Sequence, residues 1–447
     1  MASDVLHIKD SFYFEVPKAL WKSNRNSATE LANDYGPWVV RNDDDYQDWE
    51  AAKIIEGLKS IVEDPSNLKG IEAKWKAWRN AKHIRYGRPF DQFLDDEVAE
   101  LKETASKWAK NNVANNDVRD VNEAYLAEHP EYEFAWLYRL TTDSQKNQQW
   151  RELRQEFDSK PVLEEYLGTP RADWSEAKMA AYNKSLSGKI FIPQPLATLR
   201  NAYEVQSGFG ITRYMLIEVV VALIVLVLFK WLAGRIATGR PPQGKVWNLL
   251  ESFVTFVRNK VVVPAMGEHD ADKFMPFFWT LFMFVLGCNL MGMIPWVGAP
   301  TSVFATNGGL AFMIFLIGLV LGIRHFGLVG YLKNLVPSLG LPIYLAIPIV
   351  PLVWAIEALS LLIKHLILAV RLLANMVAGH LVLLGFMGIG FGAHAVAMST
   401  GSWSLAAVIS IIASTLLSFL ELFVAFLQAY IFTFLAAMFI GNATHHH

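Results

Sequence analysis

The chain has 447 residues, of which 53% are hydrophobic and 18% charged, and its formal net charge is −2. This near-neutral balance gives no indication of nucleic-acid binding, and the single cysteine, Cys288, excludes an intrachain disulfide and a thiol metal site. Residues 1–210 are charged and rich in tryptophan, whereas long apolar runs dominate from Ile211 onward. Several of these runs can cross a bilayer of about 30 Å, so we predict a membrane protein with a soluble extension.

Residues 1–210 alternate segments of helical apolar spacing with breaks rich in Pro, Gly and Asn. Capping-type residues begin the stretches YQDWEAAKIIEGLKSIVEDP, DQFLDDEVAELKETASKWAKNN and SEAKMAAYNKSLSG, and no β-hairpin signature is present. The tryptophans favour small aromatic cores or docking surfaces, and no catalytic triad, phosphate loop or metal-ligand spacing occurs. We therefore predict a soluble, mainly helical extension that ends in an extended linker, residues 188–210.

Residues 211–447 form the predicted membrane domain of an all-α polytopic protein with about five spans. The segment VWNLLESFVTFVRNKVVVPAM is apolar on one side and carries Glu251, Arg258 and Lys260, which indicates an amphipathic helix lying in the interface. A second interfacial segment, RHFGLVGYLKNLVPSLG, is predicted after the third span. The predicted spans cover residues 212–232, 274–295, 308–323, 341–391 and 403–440.

The last two apolar runs are longer than a bilayer requires. A run of roughly 20 residues already crosses the hydrocarbon, so the excess length is accommodated by tilting or kinking. Pro342, Pro348 and Pro351 lie where they can bend the start of the first of these runs. We therefore predict a long, tilted helical hairpin at the C-terminus, which presents a broad side wall to a neighbouring protein.

Lysine and arginine in the short loops indicate the orientation of the spans. Basic residues follow the first and third spans, whereas the loops WVGAPTSVFATNGG and MGIGFGAHAVAMSTGS contain none. The basic loops and the C-terminus are therefore predicted on the cytoplasmic or matrix face. With five spans, the N-terminal extension is predicted on the opposite face, in the periplasm or intermembrane space.

The first long run carries a stripe of polar and small residues. At about 100° per residue, Glu357, Lys364 and Asn375 lie within roughly 40° of Arg371, whereas His380 lies on nearly the opposite face. Charged groups at the centre of a bilayer are costly, and they face water or one another. The stripe therefore predicts an ion path rather than a simple membrane anchor.

The second long run carries Glu421 and Gln428, which lie about 20° apart around a helix. A carboxylate and an amide on one stripe suit proton transfer, although polar side chains also hold membrane helices together without any transport role. Packed antiparallel, this stripe is expected to meet Asn375 on one flank. Contact with His380 as well would require the two helices to cross obliquely.

Other polar residues in the membrane half have simpler interpretations. Lys364 and His365 are expected to extend towards an interface, and Glu218 is expected in the headgroup region. His394 lies in an outer turn, where it either collects protons or has no role. Asn289 is interpreted as a packing residue.

Several spaced motifs agree in order with one family. RLLANMVAGH, LELFVAFLQAYIFTFL and KFMPFFWTLFMFVLGCNLMGMIP together resemble subunit a of F-type ATP synthases, over residues 241–442. The resemblance implies that Arg371 is the essential arginine. It also implies two aqueous half-channels, one near His380, Glu421, Asn375 and Gln428 and the opposite one near Glu357. The loop SVFATNGGLAF departs from the family pattern, so no role is transferred to Thr306 or Asn307.

The function implied by the resemblance is that of a non-catalytic stator subunit of the Fo motor, with no bound cofactor or metal. Its implied partners are a ring of c subunits, peripheral-stalk and other Fo subunits and the lipid bilayer, and the N-terminal extension is expected to contribute contacts between synthase dimers. The expected location is the mitochondrial inner membrane, with the bacterial plasma membrane as the alternative. The expected ion is the proton.

Two other functions compete with this interpretation. A self-contained channel or secondary transporter predicts an internal repeat and discontinuous helices, and the sequence shows no repeat. An inert membrane scaffold would use its buried charges only to pair with one another. Loss of rotor-coupled proton pumping on substitution of Arg371 distinguishes the stator subunit from both.

Overall fold

A computed structural model describes residues 10–81, 88–112, 120–157, 160–239, 243–294, 296–334, 343–391 and 400–444. The chain divides into two compact units. One consists of residues 16–210, and the other combines the segment before residue 16 with the chain from residue 211 onward. Strand β1 (Tyr13–Glu15) belongs to the second unit.

The unit of residues 16–210 is mainly helical, as the sequence predicts. Short 3-10 turns at Pro65–Leu68 and Pro170–Ala172 separate some of its helices, and three strands follow the last one. Its helices are α1 (Ala28–Tyr35), α2 (Trp38–Arg41), α3 (Asp44–Ile61), α4 (Ile71–Ala81), α5 (Phe90–Asn112), α6 (Val121–Glu128), α7 (Ala135–Thr142), α8 (Ser144–Phe157), α9 (Lys160–Leu167) and α10 (Glu176–Leu186). Its strands are β2 (Lys189–Phe191), β3 (Ala197–Asn201) and β4 (Glu204–Gly208).

Aromatic side chains form the core of this unit. Trp75 and Trp78 of α4 are buried against Phe90 and Phe93 of α5, and Trp75 meets Phe90 edge to face at a centroid distance of 5.9 Å. Offset and edge-to-face pairs of this kind stabilise a core beyond the area that they bury. The tryptophans at these two positions therefore build a small aromatic core.

Asp43 joins the two ends of the same unit. Its carboxylate caps α3 by accepting from the N–H of Asp45, and it also accepts from Nζ of Lys178 at 2.7 Å and from the hydroxyl of Tyr182 at 2.8 Å. Burial acts to lower the pKa of Lys178, but hydrogen bonds to Asp43 and Asp45 raise it above its usual value. One buried carboxylate thus connects the start of α3 to α10.

The segment predicted as an extended linker contains a β-hairpin that the sequence analysis missed. Strands β3 and β4 pair antiparallel, with Ala197 opposite Gly208 and Asn201 opposite Glu204. The turn is formed by Ala202 and Tyr203, and the register shifts between Thr198 and Asn201. The pairing was not predicted because this turn lacks the Asn-Gly or Asp-Gly residues that mark a two-residue hairpin.

The second unit contains the membrane helices. Five helices are long and apolar enough to cross a bilayer within the described residues, which confirms the prediction of an all-α polytopic fold. The helices of this unit are α11 (Arg213–Ile236), α12 (Lys245–Val257), α13 (Val263–Met266), α14 (Glu268–Gly292), α15 (Phe304–Asn334), α16 (Ile343–Phe391) and α17 (Thr400–Thr444).

Helix α12 has the two faces that the sequence predicts for an interfacial helix. Trp247, Leu250 and Val257 are buried, whereas Glu251 and Ser252 are exposed. A π-helical turn, Arg258–Val262, continues the helix into α13. The position of α12 at a membrane surface remains a prediction.

Helix α15 combines two segments that the sequence separates. The predicted span of residues 308–323 and the start of the predicted interfacial segment form one helix with a break at Gly327, whose φ of 70° and ψ of 166° are not helical. Glycine adopts this conformation without the steric penalty that a Cβ atom would impose. The prediction therefore placed the end of the first helical segment too early, and the interfacial position of the segment after it stays a prediction.

Helices α16 and α17 form the predicted hairpin and pack directly against each other. They contain 49 and 45 residues, which at 1.5 Å per residue gives lengths of about 74 and 68 Å. Hydrocarbon about 30 Å thick cannot contain helices of this length upright, so we expect them to lie at a steep slant. Small or apolar side chains, among them Leu368, Leu372 and Ala429, bury their contact surface in the core of the unit.

Candidate functional site

Arg371 lies near the middle of α16, on the side that faces away from the core. Its neighbours on this face, Ile367 and Val382, are exposed, whereas Leu368 and Leu372 are buried. The guanidinium group is itself half-buried, and its Nη2 atom has no hydrogen-bond partner in the described parts of the chain. A permanent cation is thus held at the edge of an exposed apolar face without a counter-charge from the described residues.

His380 and Glu421 are brought together across the hairpin. Nδ1 of His380 lies 3.2 Å from Oε1 of Glu421, and the two side chains are only 17% and 10% exposed. Oε1 receives no aligned hydrogen bond, so the pair is a close polar contact rather than a directional bond. A carboxylate and an imidazole at this distance are close enough to exchange a proton directly.

Gly379 makes this approach of the two helices possible. A Cβ atom at this position would lie 3.1 Å from Oε1 of Glu421, closer than side chains normally approach a Cβ. Small residues allow membrane helices to approach closely, and here the space is occupied by a polar group. The position of the Glu421 side chain therefore depends on the residue that precedes His380.

The sequence predicts that the second stripe meets Asn375 on one flank, and this contact stays a prediction. Asn375 is half-buried and forms no hydrogen bond with Glu421 or Gln428 among the described residues. Gln428 is buried, with 6% of its surface exposed. The contact between Glu421 and His380, which the sequence made conditional on an oblique crossing of the two helices, is present.

Glu357 lies on the other side of Arg371 along the same helix. It is half-buried and precedes Arg371 by 14 residues, or about 21 Å along the axis, whereas His380 follows Arg371 by about 14 Å. Glu357 and His380 therefore lie on opposite sides of Arg371 along the axis of α16.

Two neighbouring polar residues, His365 and Ser410, form structural contacts. His365 is buried rather than extended towards an interface, because its Nδ1 lies 2.8 Å from the Leu361 carbonyl oxygen and its ring packs on Phe439 of α17. Ser410 of α17 donates to the Phe386 carbonyl oxygen of α16 at 2.6 Å, which ties the hairpin together. Lys364 is exposed, and His394 lies outside the described residues.

A buried polar network next to this site was missed by the sequence analysis. Asn289 of α14 donates to the Ala425 carbonyl oxygen of α17 at 3.2 Å and accepts from the Thr301 hydroxyl at 2.9 Å. Asn307 of α15 donates to the Thr301 carbonyl oxygen at 2.7 Å. The signal that could have predicted this network was the set of polar residues in the loop SVFATNGGLAF, which departs from the family pattern.

The membrane domain of this chain matches one family of known proteins. The family model described as "ATP synthase A chain" matches residues 215–441. ATP synthase subunit a of Myxococcus xanthus is 36% identical over 244 residues, which cover 53% of this chain and 75% of that protein. ATP synthase subunit a of Anaeromyxobacter dehalogenans is 42% identical over 206 residues, which cover 46% of this chain and half of that protein. ATP synthase subunit a 2 of Chlorobium luteolum is 37% identical over 239 residues, or 66% of its length.

All three of these relatives are bacterial, which supports the plasma-membrane alternative and gives no support to a mitochondrial location. The match accounts for the membrane helices and leaves residues 1–214 outside the family model. The agreement between the matched range and the motifs around Arg371 confirms the resemblance predicted from the sequence. The chain therefore belongs to the ATP synthase A chain family, the subunit a of F-type ATP synthases.

Proposed function

We propose that this chain is the non-catalytic stator subunit of the Fo motor in a bacterial plasma membrane. In this proposal it supplies two offset proton half-channels beside a ring of c subunits, and Arg371 separates them. Proton flow through the half-channels turns the ring and drives ATP synthesis on other subunits. Peripheral-stalk subunits, other Fo subunits and lipid cover the remaining surface.

The unpaired guanidinium of Arg371 carries this proposal. An arginine held among apolar side chains needs a negative partner, and no described residue of this chain forms an ion pair with it. A carboxylic acid on a passing ring subunit supplies such a partner intermittently. At about 4 Å and an effective dielectric constant of about 20, the cation favours the ionised acid by about 4 kcal/mol. An arriving ring acid therefore releases its proton beside Arg371.

The positions of the other titratable groups support a route on each side of this cation. A proton from the outer solution passes through His380 and Glu421 to an ionised carboxylate of the ring. Asn375 and Gln428 lie along this route and can orient water or share the contact between the arginine and the ring. After nearly a full turn the proton leaves past Glu357. The fixed charge of Arg371 repels a proton that would otherwise pass directly between the two routes.

The test is substitution of Arg371 by alanine in the complete synthase, reconstituted into vesicles. Arg371→Ala is expected to abolish ATP-driven proton pumping while the complex assembles with unchanged subunit content. Arg324→Ala is the matched control, because Arg324 is an exposed arginine on α15. Pumping that persists in Arg371→Ala would exclude the proposed gate and favour a scaffold.

A further inference from the structure

Glu218 lies in the second turn of the first membrane helix. The proton route proposed for His380, Glu421 and Glu357 does not use its carboxylate. Helix α11 begins at Arg213 with Thr212 as its cap, and its far end leads into the basic loop. Basic loops mark the inner face, so Glu218 lies near the outer end of this helix. It is half-buried, and the following residues, Val219 and Val220, are exposed and apolar.

A hydroxyl from another helix holds the Glu218 carboxylate. Oγ1 of Thr306, in the first turn of α15, donates to Oε1 of Glu218 at 2.7 Å. The next residue, Asn307, is fully buried, and its Oδ1 atom has no hydrogen-bond partner among the described residues. A buried acceptor of this kind is usually satisfied by water. The residue that hydrogen-bonds the Glu218 carboxylate therefore directly precedes a residue whose buried acceptor favours a bound water molecule.

Polar groups continue from this point towards the site on α17. Asn307 donates to Thr301, the Thr301 hydroxyl donates to Asn289, and Asn289 donates to the carbonyl oxygen of Ala425. Ala425 follows Glu421 by four residues, or about one helical turn. Polar groups, half-buried at Glu218 and Thr306 and buried from Asn307 onward, therefore extend from the first membrane helix to within one turn of Glu421 on α17.

The surroundings of Glu218 distinguish a functional acid from a purely structural one. No lysine or arginine forms an ion pair with it in the described chain. Asp10 of the N-terminal segment and Cys288 of α14 are the titratable groups that interact with it electrostatically, and Arg213 lies beside Asp10. A glutamine would accept the Thr306 hydrogen bond equally well without the cost of a charge in the membrane.

We propose that Glu218 is a proton-relay group at the outer mouth of the half-channel that leads to Glu421. Its carboxylate takes a proton from outer water and becomes neutral, and it then returns that proton to water held near Thr306 and Asn307. No bond other than O–H forms or breaks, and the carboxylate is regenerated in each cycle. This inference rests on the proposed function, because it requires a half-channel that ends at Glu421.

Passive proton conduction tests the relay in vesicles that contain the synthase membrane sector after removal of the catalytic head. We expect Glu218→Gln to slow conduction at least about tenfold, since a positioned acid or base typically contributes more than this to proton transfer. We also expect the variant to lose the dependence on outer pH that one carboxylate contributes. Glu218→Asp should restore part of both. Glu251→Gln, which changes an exposed glutamate of α12, is the matched control and should conduct like the unmodified protein.

Thr306→Ala distinguishes a relay role of Glu218 from a purely structural one, because it removes the hydrogen bond to Glu218 and keeps the carboxylate. It should retain the dependence on outer pH that Glu218→Gln loses. Wild-type conduction in Glu218→Gln, or an equal loss of rate in both variants with no change in pH profile, would overturn the relay. Neither result affects the role of Arg371, whose failure would show as pumping that persists in Arg371→Ala.

Discussion

At the scale of single residues, the proposed site requires Arg371 and Glu421 to lie in the membrane domain without forming an ion pair with each other. Arg371 faces the exposed side of α16, whereas Glu421 contacts His380 on the side that packs against α17. His380 follows Arg371 by nine positions, which places the two side chains about 180° apart on one helix. An internal ion pair would neutralise both groups, and their separation leaves each available for proton transfer.

Gly379 offers a test of the contact between His380 and Glu421. We expect Gly379→Ala to slow passive proton conduction several-fold, because the new Cβ atom would lie 3.1 Å from Oε1 of Glu421 and displace that side chain. Gly385→Ala is the control on the same helix, since a Cβ atom there meets nothing within 4 Å. Equal conduction in the two variants would show that the observed position of Glu421 is not needed.

At the scale of elements, long-range polar contacts decide how helices meet in both units. Ser410 ties α17 to α16, and Asn289 ties α14 to α17. In the other unit, Asp43 connects α3 to α10 across 135 residues of sequence. Each contact satisfies a buried polar group that would otherwise destabilise the fold.

Asp43→Ala should loosen the start of α3 and the middle of α10. Loss of a helix cap costs about 1 kcal/mol, and loss of the hydrogen bonds that Lys178 and Tyr182 donate to Asp43 adds roughly 1–3 kcal/mol, while Lys178 keeps its bond to Asp45. Hydrogen–deuterium exchange on the complete chain should therefore show faster exchange in both helices. Asp44→Ala is the control, because Asp44 is exposed and pairs with Arg79 only at 3.5 Å. Unchanged protection of α10 in Asp43→Ala would contradict this account.

At the scale of the whole molecule, the lengths of the apolar segments predicted the membrane fold. Contacts between residues that are distant in the sequence were not predicted in detail. Apolar length is a property of a continuous segment, so the spans and the long hairpin follow directly from the sequence. The contact between His380 and Glu421 depends on how closely two helices approach, and the absence of a Cβ atom at Gly379 permits that approach. The pair of Glu218 and Thr306 joins residues 88 positions apart, and no local pattern marks it. The β3–β4 hairpin escaped because its turn residues are atypical.

The unit of residues 16–210 lies outside the matched family range, and we expect it to bind other stator subunits or a second synthase. Replacing residues 16–210 by a short Gly/Ser linker should change the subunit content or oligomer size of the purified synthase. The segment before residue 16 is kept because the N–H of Arg213 donates to the Ser11 carbonyl oxygen at 2.8 Å. Insertion of the same linker without the deletion is the control. Unchanged size and composition after the deletion would exclude a docking role.

The position of Arg371 relative to the ring in the assembled synthase is the most direct test of the proposed mechanism. A density map of the complete complex should place the Arg371 guanidinium towards the ring, about 4 Å or one water molecule from the nearest ring carboxylate. The map should also show His380 and Glu421 on the outer side of that contact and Glu357 on the inner side. An Arg371 side chain that points into lipid, or away from every ring subunit, would contradict the role of this residue as the gate between two proton routes.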